Sequence, residues 1–170
     1  MAKPRAHFFR NTGKPFEKQI ADIASIYEQR NLLALEKVDP PTRVIGTGNN
    51  RKVIFTANPH LDFIGVWTER GSRALHLEAK STDDDRLPIG PGGIRQNQVD
   101  AMKRWHAQGA AIGILWECRG KVRFISYERM RRALAQNFKS FAIEETVPVK
   151  QGIGFILYDF IENLRAAYPV

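Results

Sequence analysis

A chain of 170 residues, 43% of them hydrophobic and three of them tryptophan, can bury a sizeable core, which excludes a disordered or low-complexity polymer. Its formal net charge of +8 calls for a polyanionic partner, nucleic acid before any other. The lone cysteine, Cys118, excludes an internal disulfide framework and fits a reducing, cytoplasmic setting, and no apolar run approaches the ~20 residues of a membrane span.

The pattern predicts one domain over residues 1–170. Residues 1–12 carry Lys3, Arg5 and Arg10 without an acid, as a phosphate-binding arm or a solvated tail would. A helix follows, with Thr12 suited to its N-cap and Pro15 to its first turn. Phe16, Ile20, Ile23, Ala24 and Tyr27 give it a buried stripe, and Lys14 and Glu17 lie near its start. Residues 32–38 read as a strand stopped by Asp39, Pro40 and Pro41. Residues 40–59 then form an excursion. Its turn, residues 47–50, lies between Arg43-Val44-Ile45 and Arg51-Lys52-Val53-Ile54-Phe55, the pattern of a basic, projecting hairpin.

Residues 61–80 read as a second hairpin, with its turn near Gly71. Asp83, Asp84 and Asp85 suit a solvated loop, since neighbouring carboxylates repel and an extended run cannot aim them all at one ion. Pro88, Gly90, Pro91, Gly92 and Gly93 predict a flexible loop; it lacks the Gly-Lys-Ser/Thr ending of a P-loop, so no nucleotide cofactor is expected. A helix over 96–108 has Val99, Met102, Trp105 and His106 on or near one side. Residues 110–117 make a strand buried on both faces, 121–125 an outer strand, 127–135 a helix, and about 155–167 a last helix. Arg119, Lys121, Arg123, Arg129, Arg131 and Arg132 form the densest basic run.

Within the second hairpin, period two sets Glu78 and Lys80 on one face of a strand. A turn centred at Gly71 puts Asp62 across from about Lys80, so Asp62, Glu78 and Lys80 meet at the hairpin's open end. Two carboxylates there suit Mg²⁺ or Mn²⁺, and an ammonium beside them suits a water and developing phosphate charge. The same three residues also fit an ordinary ion pair at a strand end.

Asp62…Glu78-Ala79-Lys80 resembles the core motif of the PD-(D/E)xK nuclease superfamily. Gly13-Lys14-Pro15-Phe16-Glu17, Asp62-Phe63-Ile64-Gly65-Val66, Leu77-Glu78-Ala79-Lys80-Ser81-Thr82, Pro88, and Gln98 ahead of Met102-Lys103 resemble RecU-type Holliday junction resolvases over roughly residues 13–130. The family usually carries histidines just before the glutamine; this chain reads Gly93-Ile94-Arg95-Gln96-Asn97-Gln98, so no role passes to them.

The resemblance implies a restriction-endonuclease-like α/β core, a mixed central sheet flanked by helices, with the basic hairpin projecting as a stalk into the junction centre. It implies a metal-dependent, structure-selective endonuclease acting as a homodimer on four-way junctions by paired hydrolysis. Asp62, Glu78 and the Ala79 carbonyl would hold Mg²⁺, for which Mn²⁺ substitutes, with Glu17 as a further acid. Lys80 and Gln98 complete the expected catalytic set. Arg5, Arg10, Lys14, Arg43, Arg51, Lys52, Arg95, Arg119, Arg123, Arg129 and Arg132 are the expected DNA contacts. A duplex or repair endonuclease on the same core, and a non-catalytic DNA-binding or recombination accessory protein, are the rival readings.

Overall fold

The computed structural model describes residues 13–39, 41–55, 60–152 and 158–169. Helix α1 (Gly13–Gln29) sinks Phe16, Ile20, Ile23, Ala24 and Tyr27 to 3% exposure or less, as their spacing predicts. Strands β1 (Ala34–Lys37), β2 (Thr42–Ile45), β3 (Lys52–Phe55), β4 (Phe63–Trp67), β5 (Arg73–Thr82) and β6 (Arg86–Pro88) precede helix α2 (Gln96–Ala107). Then come β7 (Ala111–Cys118), β8 (Lys121–Ser126), α3 (Tyr127–Ala135), β9 (Ser140–Ala142), β10 (Val147–Pro148), β11 (Lys150–Gln151), β12 (Tyr158–Asp159) and α4 (Ile161–Ala167).

Six strands form the central sheet in the order β1-β4-β5-β7-β8-β10. Only β5 and β7 run parallel, with α2 in the connection between them, so the sheet is mixed. Two apolar layers cover it. On one side Leu75, Leu77 and Ala79 of β5 join Phe63, Trp67, the α1 stripe, and Phe160, Ile161 and Leu164 at the C-terminus. On the other side Ile112, Ile114 and Trp116 of β7 pack with Val99 and Met102 of α2 and Met130 of α3. The alternating face of β5 carries His76 and Glu78, and both are buried too. Alternation on β5 thus separates apolar from polar side chains rather than inside from outside.

The register of β4 and β5 differs from expectation by two residues. Phe63 pairs with Leu77, so one further step sets Asp62 against Glu78 rather than Lys80. The cause is the turn: a single 3₁₀ turn, Thr68–Arg70, is closed by Gly71 in the left-handed conformation, which centres the reversal on Arg70. A shift by an even number keeps every side chain on its face.

Two other segments differ. The glycine-rich loop is tied down, not flexible: Gly90 N–H donates to the Ile94 carbonyl and Ile94 N–H to the Pro88 carbonyl. A Cβ on Gly93 would lie 2.0 Å from the Pro88 oxygen, so only glycine fits that crossing. The last helix starts at Ile161, behind the short β11–β12 pair, while Phe155 and Ile156 lie outside the described residues. It caps the core: the rings of Phe160 and Tyr27 meet edge to face at 5.1 Å.

Strands β2 and β3 form a separate two-stranded ribbon, joined by a 3₁₀ turn at Gly48–Asn50. Residues 41–54 are exposed throughout. Among the described residues no helix is long and apolar enough to cross a membrane.

Candidate active site

The site is built where β4 begins and β5 passes its midpoint. Asp62 sits just ahead of β4, half-buried, and its Oδ2 accepts a hydrogen bond from the Ala79 N–H at 2.9 Å. That bond fixes the first carboxylate against the backbone of the strand that carries the second. Glu78 has a side chain with no exposed surface. Its Oε1 accepts from Lys80 Nζ at 2.7 Å and from the Gln98 amide nitrogen. Gln98 is itself held, since its Oε1 accepts from the Arg95 N–H at 2.9 Å at the start of α2. Asp62, Glu78, Ala79, Lys80 and Gln98 therefore come together, from three segments far apart in the chain.

Glu78 Oε2 is buried and accepts no N–H or O–H among the described residues, and the Asp62 carboxylate adjoins it. Burial pushes the Glu78 carboxyl up to about 8, the Asp62 carboxylate beside it adds to the rise, and the Lys80 ammonium opposes it. A buried carboxylate beside a second carboxylate is unfavourable unless a proton or a cation joins them. The donor set, all oxygen, is that of a hard divalent ion. The residues thus fit a hard divalent cation. Among the described residues no group of three or more His, Cys, Asp and Glu is placed to hold one; the two carboxyl groups that meet are Asp62 and Glu78.

Glu17 stands at the same end of the sheet but is ion-paired with Lys37, at 3.0 Å. Lys37 pairs in β1 with Phe63, the neighbour of Asp62. Sequence reading did not single out Lys37. It also missed an aromatic stack behind the carboxylates. Trp105 of α2 stacks on His76 at 4.5 Å and on His60 at 6.1 Å. The available signal was spacing, since His60 and His76 each stand two residues before a carboxylate.

The expected DNA contacts are placed unevenly. Arg43, Arg51 and Lys52 are exposed on the ribbon, and Arg95 is exposed at the start of α2. Arg119 donates to the Asp83 carbonyl at 2.6 Å, and Arg123 to Thr146 Oγ1 at 3.0 Å. Arg132 pairs with Glu128 at 3.1 Å, while Arg129 lies over Phe138 and Phe141, 3.9 Å from Glu145. Asp83, Asp84 and Asp85 are exposed, as a solvated loop requires. Arg5 and Arg10 lie outside the described residues, as do residues 1–12 as a whole and the side chain of Lys14.

This mixed sheet and its flanking helices define the class as an α/β domain with a mixed central sheet. The chain belongs to the RecU family of Holliday junction resolvases: the family described as Recombination protein U matches residues 11–153. Among solved structures it is similar to Hjc, a Holliday junction resolvase from Archaeoglobus fulgidus, an archaeal hyperthermophile. The identity there is 17%, the TM-score 0.43, and the match covers 68% of this chain and 78% of that one. No curated protein matches the chain.

Proposed function

We propose that this junction-resolving endonuclease hydrolyses phosphodiester bonds with Mg²⁺ held between Asp62 and Glu78, the Ala79 carbonyl adding a neutral oxygen. The observation that carries the reading is the buried Glu78 carboxyl set directly beside the Asp62 carboxylate. When bound, such an ion neutralises phosphate charge and acidifies water. The protein's own contribution is positioning. Ala79 N–H fixes Asp62, and Gln98 with Lys80 occupies Oε1 of Glu78, which leaves Oε2 as the oxygen that would be offered to an ion. Lys80, 15% exposed at its side chain, keeps N–H bonds available for an attacking water and for the charge that develops on the phosphate. Glu17, held by Lys37, is a further acid at the margin of the site.

Substrate selection rests on the ribbon of β2 and β3, whose Arg43, Arg51 and Lys52 would meet the phosphates around the open centre of a four-way junction. Arg5, Arg10, Lys14, Arg95, Arg119, Arg123, Arg129 and Arg132 are assigned to the arms. A homodimer would present two such sites for paired cuts, since an isologous pair matches a two-fold substrate.

The test is cleavage of a labelled four-way junction beside a matched linear duplex, with Mg²⁺, Mn²⁺, Ca²⁺ or EDTA, by the wild type and by Asp62→Asn and Glu78→Gln. Mg²⁺ and Mn²⁺ should support cutting of the junction, Ca²⁺ should support binding with little cutting, and both variants should bind without cutting. Undiminished cleavage in EDTA, or by both variants, would remove the proposed site.

A further inference from the structure

Helix α2 touches the site region twice on one side, seven residues apart, which is two helical turns. Gln98 bonds Glu78 directly. Trp105 stacks on His76, interplanar angle 22°, two residues before Glu78 on the same face of β5. It also stacks on His60, interplanar angle 27°, two residues before Asp62. One ring is therefore in contact with both segments that carry the carboxylates.

The stack is an odd choice for packing alone. His76 is 5% exposed, and its Nδ1 and the Nε1 of Trp105 are buried without a hydrogen-bond partner. Burying such nitrogens opposes folding, and aliphatic or phenylalanine side chains would fill the same space without that penalty. What flat, stiff rings provide is a fixed separation. An aliphatic contact can slide, whereas stacked rings hold a defined distance and tilt.

We infer that Trp105 is a positioning residue: by stacking on both His60 and His76 it fixes the separation of the Asp62 and Glu78 carboxylates, and so sets the ion size the pair accepts. The inference rests on the reading of that pair as the metal site. Mg²⁺ demands near-ideal geometry at short metal–oxygen distances, while Ca²⁺ tolerates longer and looser shells. A brace behind the pair should therefore matter much more for Mg²⁺ than for Ca²⁺.

The test measures ion binding without DNA or turnover. Bound Mn²⁺ is followed by electron paramagnetic resonance and displaced by Mg²⁺ or Ca²⁺. It compares the wild type, Trp105→Leu, Trp105→Phe, His76→Leu, Asp62→Asn, and Val122→Ala, which opens a comparable defect in the opposite apolar layer. Trp105→Leu should weaken Mg²⁺ about 10-fold or more, the loss typical when a group supporting metal ligands is removed, and Ca²⁺ by about two-fold or less. His76→Leu should follow it in direction. Trp105→Phe keeps a ring and should restore most of the preference, and Val122→Ala should leave the Mg²⁺/Ca²⁺ ratio unchanged. Equal weakening of both ions in Trp105→Leu and His76→Leu, or a ratio that moves equally in Val122→Ala, would overturn the inference and leave the metal site standing. Mn²⁺ held by Asp62→Asn as tightly as by the wild type would instead remove the metal site itself.

Discussion

Glu78 carries two opposed demands. The proposed metal site would use it ionised, yet its burial favours the neutral form. In the metal-free protein a carboxyl raised from 4.5 to about 8 binds its proton more tightly folded than unfolded. Stability contributed by that proton is present at low pH and is lost as pH rises from about 4.5 through about 8. Glu78→Gln should therefore melt higher than the wild type at pH 8.5 without metal, by a few kcal/mol or about 5–10 °C. The gap should close toward pH 5, and saturating Mg²⁺ should narrow it at high pH by stabilising only the wild type. Calorimetric melting at several pH values checks this; a gap independent of pH would mean that the ionised carboxylate is not destabilising. Lys80 is distinguished by rate rather than stability. Lys80→Ala should slow single-turnover cleavage by ~10²-fold while junction affinity changes little, because the ammonium acts on charge that develops only during reaction. An affinity loss without a rate loss would reassign it to binding.

At the scale of elements, the long periodic segments were legible and the short ones were not. The stripe of α1, the apolar run of β7 and the alternation of β8 each repeat over enough residues to declare their type, and α3 matches its expected span, 127–135. Strands β6, β9, β10, β11 and β12 have two or three residues each, too few for a period, and exist because a neighbouring backbone is there to pair with. Tyr158 and Asp159, expected inside the last helix, form β12 instead for the same reason: pattern alone does not locate a boundary. In the site, Asp62, Glu78 and Lys80 could be grouped from strand period, and an even slip in register left the grouping intact. The bond from Gln98 to Glu78 and the stack of Trp105 on two histidines join segments twenty or more residues apart, and the period of a single strand or helix does not give either contact. The same dependence on tertiary approach makes Gly65 a sensitive point. A Cβ there would lie 1.9 Å from the Ala34 oxygen, in the pairing of β1 with β4. Gly65→Ala must push β1 outward, and with it Lys37 and its partner Glu17. It should lower stability by about 3 kcal/mol, the upper end for overpacking, in a urea titration. A loss below about 0.5 kcal/mol would show that the edge strand yields freely.

For the whole molecule, a net charge of +8 secures affinity for DNA of any shape, so recognition of a junction has to come from form. In the proposed reading, the exposed ribbon of β2 and β3 would be the part that a junction matches and linear DNA does not. Its chemistry is divided: Val44 faces Val53, while Arg43 is set against Ile54 and Ile45 against Lys52. Val44 and Val53 are 57% and 63% exposed, too much apolar surface to be explained by packing within the chain. Duplex arms offer phosphates but no cavity for such a ribbon; the open centre of a four-way junction offers both. Replacing residues 46–51 with a two-residue Asn-Gly turn should leave the core folded, because the ribbon is exposed and, among the described residues, its two strands pair with each other outside the central sheet. The shortened protein should lose junction affinity and cleavage by about 10-fold or more and keep its weak duplex binding. A milder variant separates charge from shape. Alanine at Arg43, Arg51 and Lys52 together should lower the slope of log affinity against log salt by roughly 2–3 on a junction, about 0.9 for each phosphate that is no longer neutralised. On a duplex the slope should hardly change. Binding measured on both DNAs across one salt series decides the matter, and an equal change on junction and duplex would place the ribbon outside the junction and return selectivity to the arms of the molecule.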